Sequence, residues 1–333
     1  MMDLLQVVDL DLDYQTQRGS VRALQGVSLQ VREGEVVGLV GESGCGKTSL
    51  ARAITGVMPR NATIGRGAIR WKGVDLLGLS QAQHRQRRWR EFAFVPQSSM
   101  NALNPVHRVG DQLGEVLTER GAMTSQAARE RVQELFAQVG IDRKRLRDYP
   151  HQFSGGMRQR ISIAMALALQ PDLVIADEPV TALDVIVQRQ ILDLIQGLQK
   201  SLRLSMIMVT HDVSVVAYVC DTVVVMYAGQ VVETGPVAQV LGSPLHPYSM
   251  GLTRAFPDLS QDIGVLRPIE GSPPDLLVPP TGCRFAERCP FALDVCRRES
   301  PPLLAQAATE RAVACWRADE APALRQQWER ESA

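Results

Sequence analysis

The chain has no excess charge of either sign: Lys plus Arg and Asp plus Glu each number 36 among 333 residues. No global positive field marks it for nucleic acid. Long apolar runs are missing too. Stretches such as Val223-Val224-Val225-Met226-Tyr227 fall far short of the roughly 20 residues that span a bilayer. The start, Met1-Met2-Asp3-Leu4, lacks a basic region followed by an apolar signal core. These absences point to a soluble cytoplasmic protein that reaches any membrane through a partner. Internal repeats and sustained heptads are absent, and no two cysteines form the tight C-x₂₋₄-C knuckle of structural zinc. What remains is length enough for one large or two modest domains, each with a core.

The most specific signal is Gly41-Glu42-Ser43-Gly44-Cys45-Gly46-Lys47-Thr48, which fits G-x-x-x-x-G-K-[ST] at every fixed position. It follows the apolar run 36–40 and precedes the helix-compatible Ser49-Leu50-Ala51-Arg52-Ala53-Ile54. Strand, glycine turn and helix in that order make a phosphate-binding loop, with backbone N–H groups and a helix N-terminus facing one hollow. Lys47 then reaches the β- and γ-phosphates, and the Thr48 hydroxyl is a Mg²⁺ ligand. Cys45 stands where a small residue is required. A thiol at a helix N-terminus has a route to a lowered pKa, and a tolerated small substitution is the alternative.

Further along come Phe94-Val95-Pro96-Gln97, Phe153-Ser154-Gly155-Gly156-Met157, Leu173-Val174-Ile175-Ala176-Asp177-Glu178-Pro179, Thr181-Ala182-Leu183-Asp184 and Met208-Val209-Thr210-His211. With these five in order after the phosphate loop, the chain resembles an ATP-binding cassette subunit over about its first 235 residues. Asp177, ending a strand, suits Mg²⁺ held through water, and Glu178 is the candidate base for the attacking water. The resemblance implies the other roles. Gln97 reaches Mg²⁺ and the water, His211 contacts the γ-phosphate, and Asp184 couples two sites across an interface. Ser154, Gly155, Gly156 and Met157 close over ATP held by a second cassette. Met157 and Phe153 depart from the family's usual glutamine and leucine. Tyr14 is a candidate adenine platform or an ordinary half-buried strand tyrosine.

Organisation along the chain agrees. Residues 3–40 read as a small antiparallel sheet and 50–60 as a helix stopped near Pro59. The stretch 100–160 reads as an inserted helical subdomain, with Val132, Leu135, Phe136 and Val139 on one face. From Leu173 onward, buried strands alternate with a helix over 185–200, as in a parallel sheet. The expected fold is α/β: a P-loop cassette over 1–240, with a proline-rich extension over 241–333.

That extension holds Cys283, Cys289, Cys296 and Cys315, and Gly282-Cys283-Arg284-Phe285-Ala286-Glu287-Arg288-Cys289-Pro290 resembles the C-terminal region of dipeptide, oligopeptide and nickel importer ATPases. Disulfides do not suit a reducing cytosol. The wider spacing suits a 4Fe-4S cluster, which the resemblance also implies. Zn²⁺ and free thiols packed in a core are the alternatives. The segment reads as too poor in apolar residues to fold without such a staple. Cys220, on an apolar stretch, reads as a buried small residue.

The resemblance implies an ATPase on the cytoplasmic face of the bacterial inner membrane, powering peptide import. Its partners would be a second cassette, identical or paralogous, two transmembrane permeases and, indirectly, a solute-binding protein. Nickel or oligosaccharide cargo, a non-transport cassette of DNA repair or translation, and an inactive cassette are the rival readings.

Overall fold

A computed structural model describes residues 3–97, 103–254, 269–307 and 309–330. The chain folds as two units. The first comprises Met1–Leu4, Val31–Val36 and Gly78–Val209; the second comprises Leu5–Gln30, Val37–Leu77 and Thr210–Ala333.

The first unit is built on three parallel strands. Phe92–Val95 pairs with Leu173–Asp177, which pairs with Ser205–Thr210, each register in step. The last two strands are buried at every residue, which is why they read as unbroken apolar runs. The helical stretch contains Val109–Glu115, a π-helical turn Val116–Arg120, and Ser125–Gln138. Val132, Leu135, Phe136 and Val139 are all buried, as their spacing requires. The part of that stretch over 100–102 lies outside the described residues.

In the second unit, Val36–Val40 pairs in parallel with Thr222–Tyr227. Antiparallel strands follow: Gln230–Pro236 on Thr222–Tyr227, then Ala312–Val313, then Leu304–Ala305. A separate antiparallel sheet holds Gly19–Arg32, Asp3–Thr16, Ala62–Trp71 and Val74–Asp75 in that order. Its first two strands are 14 residues each, longer than the short runs expected. The helix after the phosphate loop also differs from expectation. It runs Lys47–Thr55 and stops at Gly56, whose left-handed φ of 63° lets its N–H bond back to the Ala53 carbonyl, so Pro59 plays no part.

The apolar residues of the extension pack on the cassette. Tyr248, Leu252 and Phe285 share a core with Val213, Val216, Val223, Val225 and Tyr227. Met250, Phe291, Ala321 and Leu324 form a second cluster, with Trp328 against it. Cassette strands supply the hydrophobic surface that the extension lacks in its own sequence.

One buried ion pair locks the junction. Glu233 is fully buried, and its Oε1 accepts a hydrogen bond from Arg311 Nη2 at 2.6 Å. The same carboxylate accepts from the N–H groups of Leu245 and His246, which begin the His246-Pro247-Tyr248 turn. His246 accepts from the Tyr248 N–H through Nδ1, and burial pushes its pKa down to about 3, so it stays neutral. A buried carboxylate stripped of its cation is costly. Arg311→Met is therefore expected to lower unfolding free energy by about 3–5 kcal/mol. Urea denaturation checks this, and a loss under about 1 kcal/mol would show that the pair does not hold the extension down.

Candidate functional site

Five buried residues, Val36–Val40, carry the chain into the phosphate loop. There the backbone is pressed against its neighbours. A Cβ on Gly41 would lie 2.1 Å from the Met226 carbonyl oxygen, and one on Gly46 would lie 2.7 Å from that of Ala23. Gly46 also has φ 105°, open to glycine at no steric cost. No side chain caps the helix Lys47–Thr55, so its N-terminal amides suit an anion. Lys47 is only 6 % exposed and curls over its own loop. Its Nζ donates to the Gly41 carbonyl at 2.6 Å and the Glu42 carbonyl at 3.0 Å. Ser43 and Gly44 form the exposed crest, while Thr48 and Ser49 sit half-buried on the first helical turn. The Tyr14 hydroxyl donates to Ser49 Oγ at 3.0 Å, tying the strand Asp3–Thr16 to that turn.

Cys45 does not become an acidic thiol. Burial raises its pKa, and the nearby Lys47 charge opposes this without reversing it. Cys220 is likewise raised by burial and packs where a Cβ on Gly38 would touch its sulfur.

In the first unit, Asp177 closes its strand almost fully buried. Glu178 follows with φ 49°, an uncommon conformation for a side-chain-bearing residue, and its N–H donates to the Val209 carbonyl at 2.8 Å. Its carboxylate Oε2 accepts from Gln97 Nε2 and from the Thr181 hydroxyl, each at 2.9 Å. Sequence reasoning paired Glu178 with Asp177 and overlooked Thr181. The signal was a hydroxyl three residues on, across the sharp turn at Pro179. His211, in the second unit, is exposed at the end of Ser205–Thr210, and Asp212 caps the helix Val213–Val219 by accepting from the Ser214 N–H.

The signature segment starts a helix, Gly155–Ala166, capped by Ser154 Oγ accepting from the Met157 N–H. Asp184 caps the helix Val185–Leu202 by accepting from the Val187 N–H at 2.9 Å. The two helix starts meet closely: a Cβ on Gly156 would lie 2.4 Å from Val187 Cγ1. The unusual Phe153 and Met157 share one partner, Arg145. Its guanidinium stacks 4.2 Å from the Phe153 ring centroid, and Nη1 lies 3.2 Å from Met157 Sδ.

Cys283, Cys289, Cys296 and Cys315 form no disulfide. They lie within electrostatic reach of one another, and burial is the main reason that the thiol pKa values of Cys283, Cys289 and Cys315 rise, to about 12 for Cys289 and about 11 for Cys315. Backbone N–H groups point at each sulfur, among them those of Leu293 to Cys296 and Arg317 to Cys315. Among the described residues, however, no group of three or more His, Cys, Asp or Glu is set to hold a metal ion. Neither is any described helix long and apolar enough to cross a membrane.

Comparison with known proteins assigns the family. A profile described as ABC transporter matches residues 24–181, and one described as oligopeptide/dipeptide transporter, C-terminal region, matches 232–296. The dipeptide transport ATP-binding protein DppD of Bacillus subtilis is 45% identical over 323 residues, covering 96% of both chains. The chain belongs to the ATP-binding subunits of peptide ABC transporters. The oligopeptide transport ATP-binding protein OppD of Salmonella typhimurium agrees, at 44% identity over 90% of both chains. Among solved structures, cbiO1 of Clostridium perfringens, part of an ABC transporter complex, superposes with a TM-score of 0.63 at 26% identity, covering 73% of this chain and 92% of that one. The dimeric cassette MJ0796 bound to ADP and Pi gives 0.62 at 25% identity over 70% of this chain and 98% of that one. This peptide-transporter subunit is thus a P-loop cassette ATPase of mixed α/β fold.

The raised pKa and burial of Cys45 make a direct prediction. Iodoacetamide should leave Cys45 unmodified in the folded subunit up to about pH 9, because alkylation needs an accessible thiolate. Peptide mapping by mass spectrometry checks this. Labelling at the rate of an unfolded-chain cysteine would mean that the loop opens readily.

Proposed function

We propose that this subunit binds ATP on the loop 41–48 and hydrolyses it in a pair of cassettes, driving peptide import through two permeases at the cytoplasmic face of the inner membrane. The observation that carries this reading is that the likeness to dipeptide and oligopeptide transport proteins runs through both cassette and extension. Those relatives are named for peptides, not for nickel or sugars.

In this reading Lys47 and the first-turn amides bind the phosphates, and Tyr14 flanks the adenine. Bound Mg²⁺ would neutralise the β- and γ-phosphates, with Thr48, Gln97 and Asp177 as the residues to hold it. Glu178 polarises the water. Gln97 and Thr181 donate to its carboxylate oxygen Oε2, which keeps the group aimed. His211 contacts the γ-phosphate. Ser154, Gly155, Gly156 and Met157 present a capped helix start to ATP on the opposing cassette, as the dimeric state of MJ0796 makes reasonable, and Asp184 lies beside them.

Glu178→Gln tests the assignment. ATP binding should persist while turnover in the reconstituted transporter falls by roughly 10²–10⁴. Near-normal turnover would remove Glu178 from the role of base.

The four extension cysteines hold a 4Fe-4S cluster in this reading. Its support is four thiols in mutual electrostatic reach, each receiving a backbone N–H, the kind of hydrogen bonding that tunes cluster sulfurs. A four-iron cubane spans a wider gap than one ion, so it does not require the compact ligand set of a single-metal site. Anaerobically purified protein should be brown with about four irons per chain. Colourless protein with stoichiometric zinc would overturn the cluster.

A further inference from the structure

The residue just before Cys289 reaches into the phosphate loop. Arg288 Nη1 donates to Glu42 Oε2 at 2.8 Å, and Nη2 donates to Glu42 Oε1 at 3.0 Å. The remaining donors go to the Tyr227 hydroxyl and to the carbonyls of Glu270 and Ile269. All five N–H groups of the guanidinium are therefore committed, and its side chain is 6 % exposed. No lysine reproduces that fork.

Glu42 is fixed at its other polar groups as well. Its N–H donates to the buried Tyr248 hydroxyl at 2.9 Å, and its carbonyl accepts from Lys47 Nζ. Two residues of the extension thus hold the loop residue that in turn holds the phosphate-binding lysine. The same extension segment braces the loop a second way. Arg284 donates to the Ala228 carbonyl, and the adjoining Gly229 N–H donates to the Cys45 carbonyl at 2.9 Å.

We propose that Arg288 is a positioning residue for ATP: through Glu42 it sets the shape of the phosphate loop, so the cysteine module that carries it controls nucleotide affinity. Any change that displaces the Cys283–Cys289 segment weakens ATP binding, and by linkage bound ATP steadies that segment. The extension is then part of the nucleotide machinery and not merely a stabilising appendage. The inference rests on the ATPase reading but not on which metal, if any, the cysteines hold.

Equilibrium binding of a fluorescent ATP analogue to the full chain, with steady-state turnover in the transporter, tests it. Glu42→Gln and Arg288→Met should each weaken binding about 3–30-fold, the scale of losing a charge-assisted bidentate contact. The loss should appear in KM, with kcat at saturating ATP changed less than about twofold, because no transition-state group is removed. Arg288→Lys should recover part of the affinity. The double variant should bind no more weakly than the weaker single one, since both break the same contact. Additive losses, or wild-type affinity in Glu42→Gln, would overturn the proposal, and Glu42→Gln decides alone if Arg288→Met fails to fold. A wild-type chain that does not bind ATP would overturn the ATPase reading and this inference with it.

Discussion

The bidentate pair between Glu42 and Arg288 joins residues 246 positions apart. The geometry of the phosphate loop depends on it. A glycine-rich loop has many accessible backbone conformations, and ordering it costs conformational entropy. Here that freedom is removed from two sides. Gly41 and Gly46 are packed so closely against the Met226 and Ala23 carbonyls that no side chain fits, and Glu42 is held through its amide, carbonyl and carboxylate. Lys47 inherits its place from these contacts. In the proposed reading, preorganisation of this kind would spare ATP part of the cost of ordering the loop.

The extension is held by the same kind of interaction. Glu233 and Arg311 are buried together, and the carboxylate also gathers two backbone N–H groups. Buried charges of this sort are costly to strand, and they fix one arrangement because only one arrangement satisfies them. Around them, Tyr227, Tyr248 and Phe285 pack with ring centroids 4.6–5.5 Å apart. The aromatic contacts supply area, and the ion pairs supply register.

Local features were legible in the sequence. The phosphate loop, the buried strand 173–177 and the apolar face at Val132, Leu135, Phe136 and Val139 rest on short-range patterns that tertiary packing reinforces. The end of the first helix was misread because Pro59 is conspicuous, while the nearer Gly56 acts through a left-handed cap. Long-range pairs left no trace: neither Arg288 with Glu42 nor Arg311 with Glu233 has a spacing or motif that announces it. Composition alone also understated the extension, since its apolar partners come from the cassette strands. Phe153 and Met157 looked like departures from a signature, and both of them contact one arginine, Arg145.

Whether the extension shapes the loop is read most directly at one amide. Hydrogen exchange of the Glu42 N–H in the nucleotide-free chain should be slow, because that proton is donated to the buried Tyr248 hydroxyl. It should speed up in Tyr248→Phe while the strand Leu173–Asp177 keeps its protection. Fast exchange of the wild-type amide, at the rate of an exposed loop, would contradict the account.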